Sequence, residues 1–136
     1  MNDNQKKVIV DIMHRNGAVV GYLFGSHSRG TAGVLSDLDV AVAFPMEMDI
    51  ESQDNNIENI RGALEKIYGR DKVDVINVPR LKTPLLRYII TLGEGIVLFT
   101  DDRSLLNHLA HHARRDYEDT KPLRAIQGQH LKSLFV

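Results

Sequence analysis

Short apolar strands alternating with amphipathic helices predict an α/β or α+β fold built on one small sheet. Two observations carry this. Leu38, Val40, Val42 and Phe44 alternate with Asp37, Asp39, Ala41 and Ala43, which is strand period two. Ile57, Ile60, Leu64 and Ile67 recur three and four apart, which is helix period. A third observation bounds the size: 136 residues make one domain and leave too little chain for two well-buried ones.

The elements follow in order. Val8, Ile9, Ile12 and Met13 recur at helical spacing behind Asn4, so a first helix is expected from about residue 5 to 15, capped by Asn4 and stopped at Asn16-Gly17. Ala18 to Phe24 is short, apolar and rich in branched and aromatic residues, a buried strand. Gly25 to Gly33 is a turn-rich segment in which a short helix can start at Ser26. The alternating strand spans residues 37 to 44 and ends at Pro45. An amphipathic helix from about 53 to 68 closes at Gly69. Val73 to Val78 is a third strand, ended by Pro79, and residues 83 to 92 form a helix with Pro84 in its first turn. After Gly93 and Gly95 comes a fourth extended segment, Ile96 to Thr100. A polar helix then starts at a cap on Asp101 or Asp102 and reaches about Glu118, with Leu105, Leu106, Leu109, Ala113 and Tyr117 as its apolar members. The tail from Lys121 to Val136 is a second helix or a docking arm. Residues 1 to about 100 are thus a core, and about 101 to 136 a helical tail of the same single domain.

Composition narrows the function. The net charge is −1, so no global basic field exists to hold nucleic acid or an anionic membrane. Cysteine is absent, which excludes disulfides, thiol catalysis and thiolate-bound zinc and suits a reducing compartment. The longest apolar stretch, Gly17 to Gly25, falls far short of the roughly 20 residues that span a bilayer. The N-terminal Met-Asn-Asp-Asn-Gln-Lys-Lys lacks the apolar core of a secretory signal, so the protein is expected in the cytoplasm.

Chemistry concentrates in Leu23 to Val40. Asp37 and Asp39, two apart on a strand, share one face about 6 to 7 Å apart. Like charges that close repel unless a cation sits between them, and Mg²⁺ takes one or two carboxylates while leaving positions for water and substrate phosphates. Upstream, an apolar strand runs directly into Gly25-Ser26. Backbone N–H groups at such a turn suit an anion, Gly25 permits close approach, and the Ser26 hydroxyl adds a donor. One strand end therefore supplies a phosphate cradle and the next a metal platform, which together describe a site for a metal–nucleoside triphosphate. Asp74, inside Asp-Val-Ile-Asn-Val, is the expected third carboxylate, able to share a metal and accept the proton of an attacking hydroxyl. Asp71, in the turn after Gly69, is its competitor.

Gly25-Ser26, followed after ten residues by Asp37-Leu38-Asp39, resembles the nucleotidyltransferase signature of the DNA polymerase β superfamily. The fuller Gly-Ser-x-x-Arg-Gly…Ser-Asp-x-Asp form is similar to its minimal nucleotidyltransferase branch, whose members are often antitoxins paired with a HEPN-domain toxin. The resemblance implies a small mixed sheet flanked by helices with a C-terminal helical segment. It implies transfer of AMP from ATP, with Mg²⁺ at a two-metal site, onto a tyrosine of the toxin, and hence a hetero-oligomer with that toxin. It maps phosphate binding to Gly25 and Ser26, metal binding to Asp37 and Asp39, and the third carboxylate to Asp74. The short chain leaves little beyond the core to recognise a free acceptor, which favours a protein acceptor. Two rival functions share the sequence: an antitoxin acting by stoichiometric binding alone, and a small-molecule nucleotidyltransferase of the aminoglycoside-modifying type.

Other polar residues have plainer readings. Arg29 fits a loop-fixing ion pair, Ser36 a turn, and His27 an exposed loop position. Arg80, Lys82 and Arg87 follow the third strand and are within reach of phosphates by sequence alone. His108 and His112 have the four-residue spacing of a zinc pair, but the missing Glu and the adjacent Arg114 and Arg115 read as a solvated surface. Arg114, Arg115, Lys121 and Arg124, interleaved with Asp116, Glu118 and Asp119, read as a salt-bridged helix face or a docking face for an acidic partner.

Overall fold

The computed structural model describes residues 1–30, 33 and 37–119. Helix α1 (Asp3–Arg15) leads to strand β1 (Val20–Phe24), a single turn of helix α2 (Ser26–Arg29) and strand β2 (Leu38–Ala43). Helix α3 (Ile50–Tyr68) then crosses to strand β3 (Val73–Asn77), and a 3₁₀ turn at Val78–Arg80 precedes α4 (Pro84–Thr91), β4 (Ile96–Thr100) and α5 (Arg103–Asp119). The expected tail segment 121–136, including Lys121 and Arg124, and Ser36 lie outside the described residues.

The sheet order is β3-β2-β1-β4. β1 runs antiparallel to both β2 and β4, whereas β2 and β3 are parallel, joined by α3 as the crossover that a parallel pair requires. The sheet is therefore mixed. Its alternating residues separate two apolar layers. Leu23, Leu38, Val40, Val42, Val73 and Val75 face Ile9, Ile12 and Met13 of α1 and Ile57, Ile60 and Leu64 of α3. Val20, Tyr22, Phe24, Ala41 and Ala43 face Ile90 of α4 and Leu105 and Leu109 of α5.

Caps account for most differences from the expected boundaries. Helix α1 is capped by Asn2, not Asn4: the Asn2 side chain accepts from the Gln5 N–H at 2.8 Å, and the Gln5 side chain returns to the Asn2 N–H at 2.9 Å. This reciprocal pair satisfies two otherwise orphaned donors and wins over the single-residue signal at Asn4. Helix α3 starts at Ile50 rather than 53 because Asp49 accepts from the Ser52 N–H, a bond that holds the Asp49 carboxyl below its ordinary pKa. Ala18 belongs to the turn after α1, its N–H donating to the Met13 carbonyl, so β1 begins at Val20. Asp102, not Asp101, caps α5 through the Leu105 N–H at 2.9 Å. Asp101 instead meets His14 at 2.9 Å, tying the end of α1 to the end of β4.

Tyr22 lies at the centre of the sheet with no exposed surface, and its hydroxyl has no hydrogen-bond partner among the described residues. Burial pushes its phenol from 10.0 up to about 12. Between these values the unfolded chain releases the proton and the folded chain keeps it, so the stabilisation from a neutral Tyr22 is whole below pH 10 and is lost as pH rises toward 12. Denaturant titrations should show Tyr22→Phe at least as stable as wild type at neutral pH, because an unpaired buried hydroxyl is removed. The variant should also lose less stability than wild type between pH 10 and 12.

Candidate functional site

The site forms where β1 ends and β2 and β3 begin. Antiparallel pairing sets Phe24 opposite Asp39, and parallel pairing sets Asp39 opposite Asp74. Neighbouring strands lie about 4.8 Å apart, so Asp39 and Asp74 stand side by side on one face. Asp37, two residues before Asp39, has the same parity and falls on that face as well. It is the face of Tyr22, Ala41 and Ala43, but at its open end: Asp37 and Asp74 are exposed and Asp39 half-buried.

Asp74 thus stands in register with Asp39 on β3. Asp71 does not share it. Asp71 lies in the turn between α3 and β3 with φ +62°, and its N–H donates to Glu65 at 3.0 Å. A residue outside the ladder has no register with Asp39.

The turn after β1 is built around Gly25. Its φ of +72° and ψ of −153° suit only glycine, and a Cβ there would stand 3.1 Å from the Asp39 carboxyl carbon and collide with its nearer oxygen. The Ser28 N–H and hydroxyl both donate to the Gly25 carbonyl, at 3.2 and 2.8 Å, and fold the chain into α2. Helix α2 begins at Ser26, directly after Gly25. Gly25 is thereby brought against the second carboxylate.

His27 departs from the exposed position expected of it. It is half-buried, its Nε2 is sealed from solvent with no partner among the described residues, and its ring meets Tyr68 edge-on at 6.5 Å. This contact ties the turn to the end of α3, and burial raises the Tyr68 phenol. Lys72 is a residue that sequence reasoning missed. Its Nζ lies 3.8 Å from Asp37 Oδ1. The available signal was parity, since Lys72 stands two residues before Asp74. Arg80 and Arg87, by contrast, are engaged elsewhere: Arg80 pairs with Asp54 at 2.7 Å, and Arg87, largely buried, pairs with Asp116 at 2.8 Å. The His108 and His112 rings stack 5.9 Å apart, and His112 Nε2 lies 3.5 Å from Asp116.

The carboxylates of the acid row offer oxygen donors only, which suits a hard divalent cation. Among the described residues no three acidic or histidine side chains converge as a metal-holding group. The carboxylates share a face without closing a cage. Mg²⁺ is commonly held in that open way, by one or two carboxylates completed by water and phosphate oxygens, so the residues fit it.

A four-stranded mixed sheet with two acids at the head of β2, a third acid in register on β3 and a glycine turn against them defines a nucleotidyltransferase fold. The Polymerase beta, Nucleotidyltransferase family model matches residues 6–104, and the chain belongs to that family. No match was found among curated protein sequences. Solved structures share the fold at low identity. A toxin–antitoxin complex with AMP-PNP matches with a TM-score of 0.67 and 20% identity, over 96% of this chain and 98% of that one. A complex of tri-AMPylated Shewanella oneidensis HEPN toxin with MNT antitoxin gives 0.64 and 18%, over 100% of both chains. The toxin–antitoxin MntA-HepT gives 0.63 and 17%, over 99% and 100%.

Gly25→Ala tests the turn. A Cβ at this φ and ψ is strained by roughly 1–3 kcal/mol and displaces the Asp39 carboxylate. The expected outcome is a folded protein, by circular dichroism, that has lost most of its affinity for a fluorescent ATP analogue.

Proposed function

We propose that this protein is a Mg²⁺-dependent nucleotidyltransferase that moves AMP from ATP onto a tyrosine hydroxyl of a HEPN-domain toxin, and so acts as that toxin's antitoxin in the cytoplasm. The observation that carries the catalytic part is the in-register placement of Asp39 and Asp74 beside the Gly25 turn. The antitoxin part is supported by the fold shared with toxin–antitoxin complexes along nearly the whole chain.

In this reading the Gly25-Ser26 turn holds the β and γ phosphates of ATP and fixes the direction in which pyrophosphate leaves. Asp37 and Asp39 would hold Mg²⁺, with Asp74 shared at a second position, and the metal would supply charge neutralisation on the phosphates. Asp74 accepts the proton of the acceptor hydroxyl. The hydroxyl oxygen bonds to the α-phosphorus as the bond to the pyrophosphate oxygen breaks, so one phosphate ester forms for each pyrophosphate released. Positioning and electrostatics supply most of the acceleration in such a site. Open strand ends suit this work, because a bulky protein side chain must reach the acid row from outside.

Intact-mass spectrometry of a candidate HEPN partner, incubated with the protein, ATP and Mg²⁺, tests the reading. Wild type should add one or more AMP units, and Asp37→Asn/Asp39→Asn should add none while remaining folded. A stable complex with no mass gain would instead make the protein a stoichiometric binder, and transfer to an aminoglycoside without a protein partner would make it a small-molecule enzyme.

A further inference from the structure

The ladder between β2 and β3 places a cation among the acids. Its first paired positions are Leu38 and Val73, and the Leu38 N–H donates to the Lys72 carbonyl at 2.8 Å. One residue earlier on each chain stand Asp37 and Lys72, and one residue later Asp39 and Asp74. Strand parity, continued one residue before each strand, puts all four on the same face. The observed approach of Lys72 Nζ to Asp37 Oδ1, 3.8 Å, agrees with that layout.

Gly69 ends α3 at φ +112°, and a Cβ there would lie 3.2 Å from Lys72 Cγ, so the lysine stem passes close over the helix end. Stability does not explain the arrangement. Both partners are about half exposed, and a long, exposed ion pair of this kind contributes roughly 0–1 kcal/mol. Charge balance explains it better. ATP brings more negative charge to a row that already carries three carboxylates, and a lysine tethered at the rim offsets part of that repulsion and offers donors to phosphate oxygens.

We infer that Lys72 is a substrate-contacting residue: its ammonium stays at the acid row and engages the phosphate chain of the incoming nucleotide. The inference rests on the nucleotidyltransferase reading above and names a residue that reading does not use. Equilibrium binding of N-methylanthraniloyl-labelled ATP, ADP and AMP to the full chain in Mg²⁺, without acceptor, tests it. Lys72→Met should weaken ATP by about tenfold and AMP by less than about twofold, the size expected for a lost charge-assisted contact to a phosphate beyond the first. Lys72→Arg should restore ATP binding to within about threefold of wild type, with thermal unfolding of both variants close to wild type. A Lys72→Met protein that binds all three nucleotides as wild type does, or loses affinity equally for all three, overturns the assignment. A wild-type protein that binds none of them overturns the nucleotidyltransferase reading and this assignment with it.

Discussion

Parallel pairing of β2 with β3 is the constraint on which the site depends, because the carboxylates have no other reason to meet. Asp39 and Asp74 are 35 positions apart in the chain, and only the register Leu38↔Val73, Asp39↔Asp74 brings them side by side. Slipping either strand by one residue would turn its acid to the opposite face and bury it against α1 and α3. Apolar residues hold the register. Leu38, Val40, Val73 and Val75 are sealed under Ile60 and Leu64 of α3, so a slip of either strand would turn two branched side chains out of that layer. The core beneath the sheet thus fixes the charges above it.

A second constraint acts across β1. The strand end must approach Asp39 closely enough that a methyl group would not fit, and only the φ of Gly25 directs the chain away into α2 at that point. The turn is held from below by His27 against Tyr68 and from within by Ser28 on the Gly25 carbonyl. The Gly25 turn and the acid row are therefore tied together at three places, β1, β2 and the end of α3.

Much of this was legible in the residues. All four strands and four of the helices were readable from period and punctuation, and Asp37, Asp39, Gly25 and Ser26 from spacing. Asp74 was readable as an acid inside a strand, but its match to Asp39 is a property of pairing that no local pattern encodes. The cap of α1 was misplaced because Asn2 and Asn4 both look like caps, and the choice is made by the Gln5 side chain returning to Asn2. His27 differs from its expected exposed position for a related reason: a loop histidine becomes half-buried only when a distant residue, Tyr68, comes beside it. Arg80 and Arg87 were legible as charges, while their acidic partners, Asp54 and Asp116, come from other helices.

Strand β2 does two jobs along a single face. Asp39 is half-buried, whereas Ala41 and Ala43, the next two residues of the same parity, are sealed beneath α4 and α5. Within about 7 Å the strand passes from solvent-facing chemistry to core. The acids are not among the buried residues of that core. A descendant of this chain that replaced them would lose no packing and would keep its shape, its helical faces and whatever binds them. Inheritance of the fold therefore does not by itself preserve the reaction, and among chains of this shape silent copies are the easy evolutionary outcome.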